Sequence, residues 1–149
     1  MNAQYLRHLM HAQPTVVEVV VADNQAILVG DIVCNVAGLA TKGSSSVHTL
    51  LLGIALDALT TTTHAATDKI KVLLLDEFSV IRLKYTGTAT NLVEANVWTT
   101  AYDITGTTTA VTLNIDDTGN GFLIPVTLLD AAVDDYVDVV PKASVLWNA

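Results

Sequence analysis

His8 and His11, the run Ser44 to Ser46 followed by His48, and the acidic turn Asp116 to Gly121 are the places where residue type and spacing in this 149-residue chain could support chemistry. Three positions apart, His8 and His11 would share a helical face, but a zinc site needs three or four ligands, and neither HExxH nor paired cysteines are present. His64 stands in a separate loop. The serines beside His48 suggest a hydrolase, yet the nucleophile-elbow pattern GxSxG is missing. GLATKG, Gly38 to Gly43, has two glycines and a lysine without the GxxxxGK[ST] spacing that cradles phosphates. Asp116, Asp117, Thr118, Gly119, Asn120 and Gly121 offer hard oxygen ligands for Ca²⁺, but lack the alternating acids and distant glutamate of an EF-hand, so a plain turn is expected. Asp130, Asp134, Asp135 and Asp138 read as a solvated face, and Cys34, the one cysteine, as a small buried hydrophobe. The expectation is therefore no catalytic residue, no cofactor and no metal, in a protein that is not an enzyme.

The aromatic residues carry a weaker suggestion. Trp98, Trp147, Tyr85, Tyr102, Tyr136, Phe78 and Phe122 could stack on sugar rings, but they are spread along many strands, and packing in a core or an interface is the default. Trp147 closes an apolar segment near the C-terminus, where it would seal either a core or a subunit contact.

Composition narrows the partners. The length suits one domain able to bury its own core. Hydrophobic residues make up 51% and charged residues only 15%, against roughly 25% in typical globular chains, so such a surface needs something to cover it. A membrane is not that cover: the longest apolar run, Leu50 to Leu56, is far shorter than the roughly 20 residues of a spanning helix. The N-terminus has no continuous apolar segment of a secretory signal, so synthesis in a cytosol without export by that route is expected. A net charge of −8, with no cluster of Lys or Arg, argues against direct nucleic-acid binding.

The elements that must position these residues are strands. Residues 1–15 differ from the rest: Tyr5, Leu6, Leu9 and Met10 have helix-like spacing, but the stretch is brief and meets Pro14, so it reads as an N-terminal arm, folded back or reaching a neighbour. From residue 16 to 149 a single β domain is expected. VVEVVVA and AILVGDIVCNV predict two strands joined at Asp23-Asn24, followed by an exposed loop over AGLATKGSSSVHT. LLLGIALDAL is read as a core strand, with Gly53 suited to close backbone approach. KIKVLLLDEFSVIRLKY predicts a hairpin with Lys69, Lys71, Arg82 and Lys84 on one wet side, answered by acids of adjacent strands or by an acidic partner. NVWTTAYDI, AVTLNID, FLIPVTLL and YVDVVPKASVLW predict further strands. Val111, Leu113 and Ile115 face one way, Pro125 marks an edge or bulge, and DAAVDD makes one helical turn. Eight to ten short strands with Gly- and Thr-rich turns describe an all-β sandwich or small β-barrel.

The order GDIV (Gly30 to Val33), LLGIALDAL (Leu51 to Leu59), DKIKVLLLDE (Asp68 to Glu77), NVWTTAYDIT, a Thr-rich turn, NIDDTGNGFLIPV and YVDVVPKASVLWN resembles the head decoration, or cement, proteins of tailed bacteriophages. The resemblance runs from about residue 27 to the C-terminus and consists of pattern and order. It implies a small β-barrel or β-tulip fold and a trimer seated on the outside of the capsid, at or near local three-fold axes, where it locks capsomers together. The partners it implies are the major capsid protein and further copies of the chain, on a virion assembled in a bacterial cytoplasm. Residues 1–15 look like the arm that ties subunits together, which would make Tyr5, Leu6, Arg7, Leu9, Met10 and Pro14 capsid-facing. Other readings stay open: a tail, spike or baseplate β domain, a carbohydrate-binding module, or an enzyme of unfamiliar type.

Overall fold

The structure, a computed structural model, describes residues 3–10, 12–44, 47, 50–106, 111–128 and 136–146. Trp147 and the DAAVDD segment, together with His11, Ser45, Ser46, His48, Asp130, Asp134 and Asp135, lie outside the described residues. The strands are β1 (Gln4–His8), β2 (Val16–Val20), β3 (Ala26–Ile27), β4 (Ile32–Val36), β5 (Leu39–Lys42), β6 (Leu51–Ala55) and β7 (Leu59–Thr60), then β8 (Lys69–Leu74), β9 (Ser79–Thr86), β10 (Asp103–Thr105), β11 (Thr112–Asn114), β12 (Leu123–Leu128) and β13 (Tyr136–Pro141). Single 3-10 turns stand at Ala89–Asn91, Glu94–Asn96 and Ala143–Val145, and among the described residues no helix is long and apolar enough to cross a membrane. The fold is all-β, as its β-branched alternation requires.

One sheet has the order β2-β8-β6-β4-β5, every neighbour antiparallel. It curls until its edges approach: Val21, just past β2, bridges Ala40 of β5 in parallel, and the Ala22 N–H donates to the Ala40 carbonyl at 3.0 Å. A single bridge is not a ladder, so the curl is barrel-like without forming a closed barrel. Val21, Val33, Ala40, Leu52, Ala55, Ile70 and Val72 fill its concave side with Ile27 of the small β3–β7 pair.

The second sheet has the order β10-β11-β9-β13-β12, with β1 also paired to β9. Among the described strands of this sheet only the β11–β9 contact is parallel. Its inner face supplies Ile81, Leu83, Ile104, Leu113, Leu123, Val137 and Val139 to the main core. The other half of that core is the convex side of the first sheet, through Ile32, Cys34, Leu51 and Ile54.

β4 and β6 therefore bury both faces, which is why LLGIA is continuously apolar rather than alternating. A bulge between Val33 and Cys34 lets residues from both sides of Gly53 reach the same core. Gly53 is required by contact, since a Cβ there would sit 2.0 Å from the Leu73 carbonyl oxygen. Pro125 lies where expected: β12 is a sheet edge, and its register with β13 shifts between Pro125 and Thr127. Val111, Leu113 and Ile115 are all buried, as their alternation predicts.

Several local expectations are corrected. β8 and β9 do not form a hairpin; they enter different sheets, because their buried sides face different cores. Lys69 and Lys71 stand opposite Val20 and Glu18 of β2. Arg82 binds Asp138 and Lys84 lies 5.4 Å above the Tyr136 ring, so the four cations share no wet face. β2 pairs with β8 rather than with the strands that follow it in sequence. The loop expected after Val36 contains β5, and NVWTTAYDI is mostly a turn-rich connection with a strand only from Asp103.

Of the two courses left open for the arm, the structure shows the folded-back one: Gln4–His8 is a strand antiparallel to β9, with Gln4 opposite Arg82 and His8 opposite Ser79. A helix this short has little stability by itself, whereas the edge of β9 offers ladder hydrogen bonds, and Ala3 and Tyr5 reach the main core from it.

Candidate functional site

The residues that the resemblance makes capsid-facing lie along β1 and just beyond it. Tyr5 is half-buried against the core, and burial, followed by the Asp76 charge, pushes its phenol up. Leu6 and Arg7 are exposed on a stretch where the register slips between Tyr5 and Arg7. Leu9 turns over the outer face of the second sheet to cover Val80, Val126 and Val140, while Met10, 67% exposed, points to solvent. Pro14 is exposed and lines a cavity of about 190 Å³ with Tyr5, His8, Leu74, Asp76 and Ser79.

His8, read from the sequence as a weak metal candidate, is instead a hub. Its Nδ1 accepts the N–H groups of Met10 at 3.0 Å and Ala12 at 3.2 Å. Because both partners are donors, Nδ1 carries no proton, and Nε2–H donates to Asp76 Oδ2 at 2.7 Å. Asp76 Oδ1 accepts the Ser79 hydroxyl at 2.9 Å and the Phe78 N–H at 3.0 Å. Burial alone pushes the Asp76 carboxyl up, but the hydrogen bonds from His8, Ser79 and Phe78 together outweigh it and hold the group below its ordinary range. Ser, His and Asp meet here without forming a nucleophilic triad, because Ser79 donates to the carboxylate rather than to the imidazole.

The other candidates also act as staples. Asp23 accepts both the backbone N–H and Nδ1 of His64, each at 2.7 Å, and those bonds hold its carboxyl low. Asp116 accepts the Thr88 N–H and the Asn91 amide, which lower it likewise, and Asp117 accepts the Gly119 N–H, so both carboxylates tie the turn that was weighed for calcium. Lys42 of GLATKG is buried and reaches the fully buried Asp31 at 2.9 Å. Asp138 belongs to no solvated face: it is buried and receives Arg82 through Nε and Nη2. Cys34 is buried, with its thiol pushed up to about 12 by desolvation. Among the described residues no three His, Cys, Asp or Glu side chains are grouped to hold a metal ion.

Trp98 is the residue whose prominence the sequence did not reveal. Tyr102 and Phe122 are buried, but Trp98 is 57% exposed and adopts φ +63°, a left-handed conformation costly for a bulky residue. Its N–H donates to the Pro125 carbonyl at 2.8 Å, and the N–H groups of Thr99 and Thr100 converge on the Asn96 carbonyl. The only local signal was NVW after a short polar turn, which any strand entry shares. Comparison of the chain with family models, with curated proteins and with solved structures returned no match.

Proposed function

We propose that this chain is a non-enzymatic structural protein that binds the outer surface of a phage head and stabilises contacts between capsomers. In this reading it acts as a trimer at or near local three-fold axes, with the major capsid protein and its own copies as partners. The observation that carries the reading is a division of labour among side chains. The histidines, acids and hydroxyls reviewed above stitch turns and strands together, while large apolar groups stand exposed on a charge-poor surface, among them Met10 at 67%, Trp98 at 57% and Val29 at 54%. Such a surface suits shallow burial repeated by symmetry, where modest contacts gain strength through multivalency. The order of segments resembling head decoration proteins supports the choice of the capsid as partner.

Co-sedimentation of the purified chain with mature heads lacking decoration tests the proposal. Saturation at the stoichiometry of three-fold positions is expected; no binding at micromolar concentration would overturn it and favour a tail or spike domain. A second reading, saccharide binding, draws on Trp98 and the groove of about 530 Å³ that begins at the next residue and includes Thr99, Thr100, Thr118, Asn120 and Lys142. Quenching of Trp98 fluorescence by oligosaccharides, lost in Trp98→Phe, would support that reading over the first.

A further inference from the structure

We propose that His8 is the latch of a proton-sensitive strap: its neutral ring holds the backbone at Met10 and Ala12 against the corner between β8 and β9, and protonation of the ring releases them. The His8 side chain is 8% exposed, and His8 is the last residue of β1. Two backbone N–H groups converge on its one free lone pair. A proton arriving at Nδ1 competes with both of them for that lone pair, and a doubly protonated ring can only donate.

The charged neighbours do not reverse this direction. Asp76, from the corner, bonds Nε2 whether the ring is neutral or cationic. It is held beside the ring by Ser79 and the Phe78 N–H, and β1 itself is held by its ladder to β9. Attraction between Asp76 and an imidazolium is therefore present in the latched and released forms alike and largely cancels between them. Tyr5, on the same strand, lines the shared cavity and is neutral in this range; Arg7 and Glu77 are exposed neighbours on β1 and the corner; Ala12, Gln13, Pro14 and Thr15, which close the cavity from the other side, carry no charge. What differs between the two forms is the pair of N–H bonds to Nδ1. The released form binds one more proton, so acid favours it. Acidification therefore opens the strap while β1 stays in its sheet. Opening loosens the backbone at Met10 and Ala12, near the residues that the resemblance to head decoration proteins makes capsid-facing, but the latch itself does not depend on that reading.

Leu9 supplies an internal control. Its N–H donates to the Phe78 carbonyl at 2.9 Å and does not involve the imidazole. The test is NMR on the full chain: ring nitrogen shifts of His8, and amide exchange at Leu9, Met10 and Ala12, corrected for the intrinsic pH dependence. The expected result is an Nε2–H tautomer at pH 8, with protection of Met10 and Ala12 falling roughly tenfold by pH 5, as loss of about one net hydrogen bond at each amide would give, and with Leu9 unchanged. His8→Gln, which keeps an acceptor but does not titrate, removes the pH response. His11→Gln retains it. An Nδ1–H tautomer at pH 8, protection independent of pH, equal loss at Leu9, or a response that disappears in His11→Gln would each overturn the proposal. Head-binding measurements are separate, so failure of the capsid reading leaves the latch standing and the reverse also holds.

Discussion

Trp98 holds an exposed indole on a left-handed backbone, and nothing in the core requires a bulky residue there. Trp98→Gly should therefore raise stability by about 1 kcal/mol, since glycine adopts positive φ without the Cβ penalty. Chemical denaturation checks this, and a loss of stability would mean that the indole packs more than its exposure indicates. Asp76 makes the opposite case, a polar residue whose value lies in its bonds. Its carboxyl is held below the ordinary range in the folded chain, so its contribution is fully present above the unfolded value, near pH 4, and is lost as pH falls through the lowered folded value. Denaturation midpoints of the wild type and Asp76→Asn should differ at pH 7 and converge toward pH 3; a gap that does not narrow would contradict this assignment.

At the scale of elements, β1 changes what truncation is expected to do. An arm outside the domain would come off without effect on folding. A strand hydrogen-bonded to β9, with Ala3 and Tyr5 packed on the main core, would not. Deleting residues 1–14 should leave a folded chain with a melting temperature lower by about 5–10 °C, the scale of a few kcal/mol for a chain of this size. An unchanged melting temperature would restore the view of a detachable arm. The same strand shows why the helix-like spacing of Tyr5, Leu6, Leu9 and Met10 makes no common face: a bulge between Tyr5 and Arg7, then a turn at Leu9, sends these residues to different surfaces. Spacing alone carries no information about bulges, which are set by the strand alongside.

In the whole molecule the main core is shared by both sheets, with Ile32, Cys34, Leu51 and Ile54 from one and Ile81, Leu83, Leu113, Val137 and Val139 from the other. Neither sheet can separate without exposing that common layer, so equilibrium unfolding should be a single transition, superimposable by far-UV circular dichroism and tryptophan fluorescence. Two resolved transitions would show that the curled five-stranded sheet is an independent unit. The all-β class, the strand character of LLGIA, the edge position of Pro125 and the common facing of Val111, Leu113 and Ile115 were legible in the chain, because β-branching, alternation and the missing N–H of proline act within a few residues. Partners were not. β1 finds β9, β2 finds β8, Asp138 meets Arg82 and His8 meets Asp76 across long separations, and each pairing depends on which buried face each strand turns to which core. Local pattern determined the type of most segments, though not β5 or the NVWTT turn; only the tertiary structure decided what they touch, because register and sheet membership are fixed by packing between segments that sequence order does not relate.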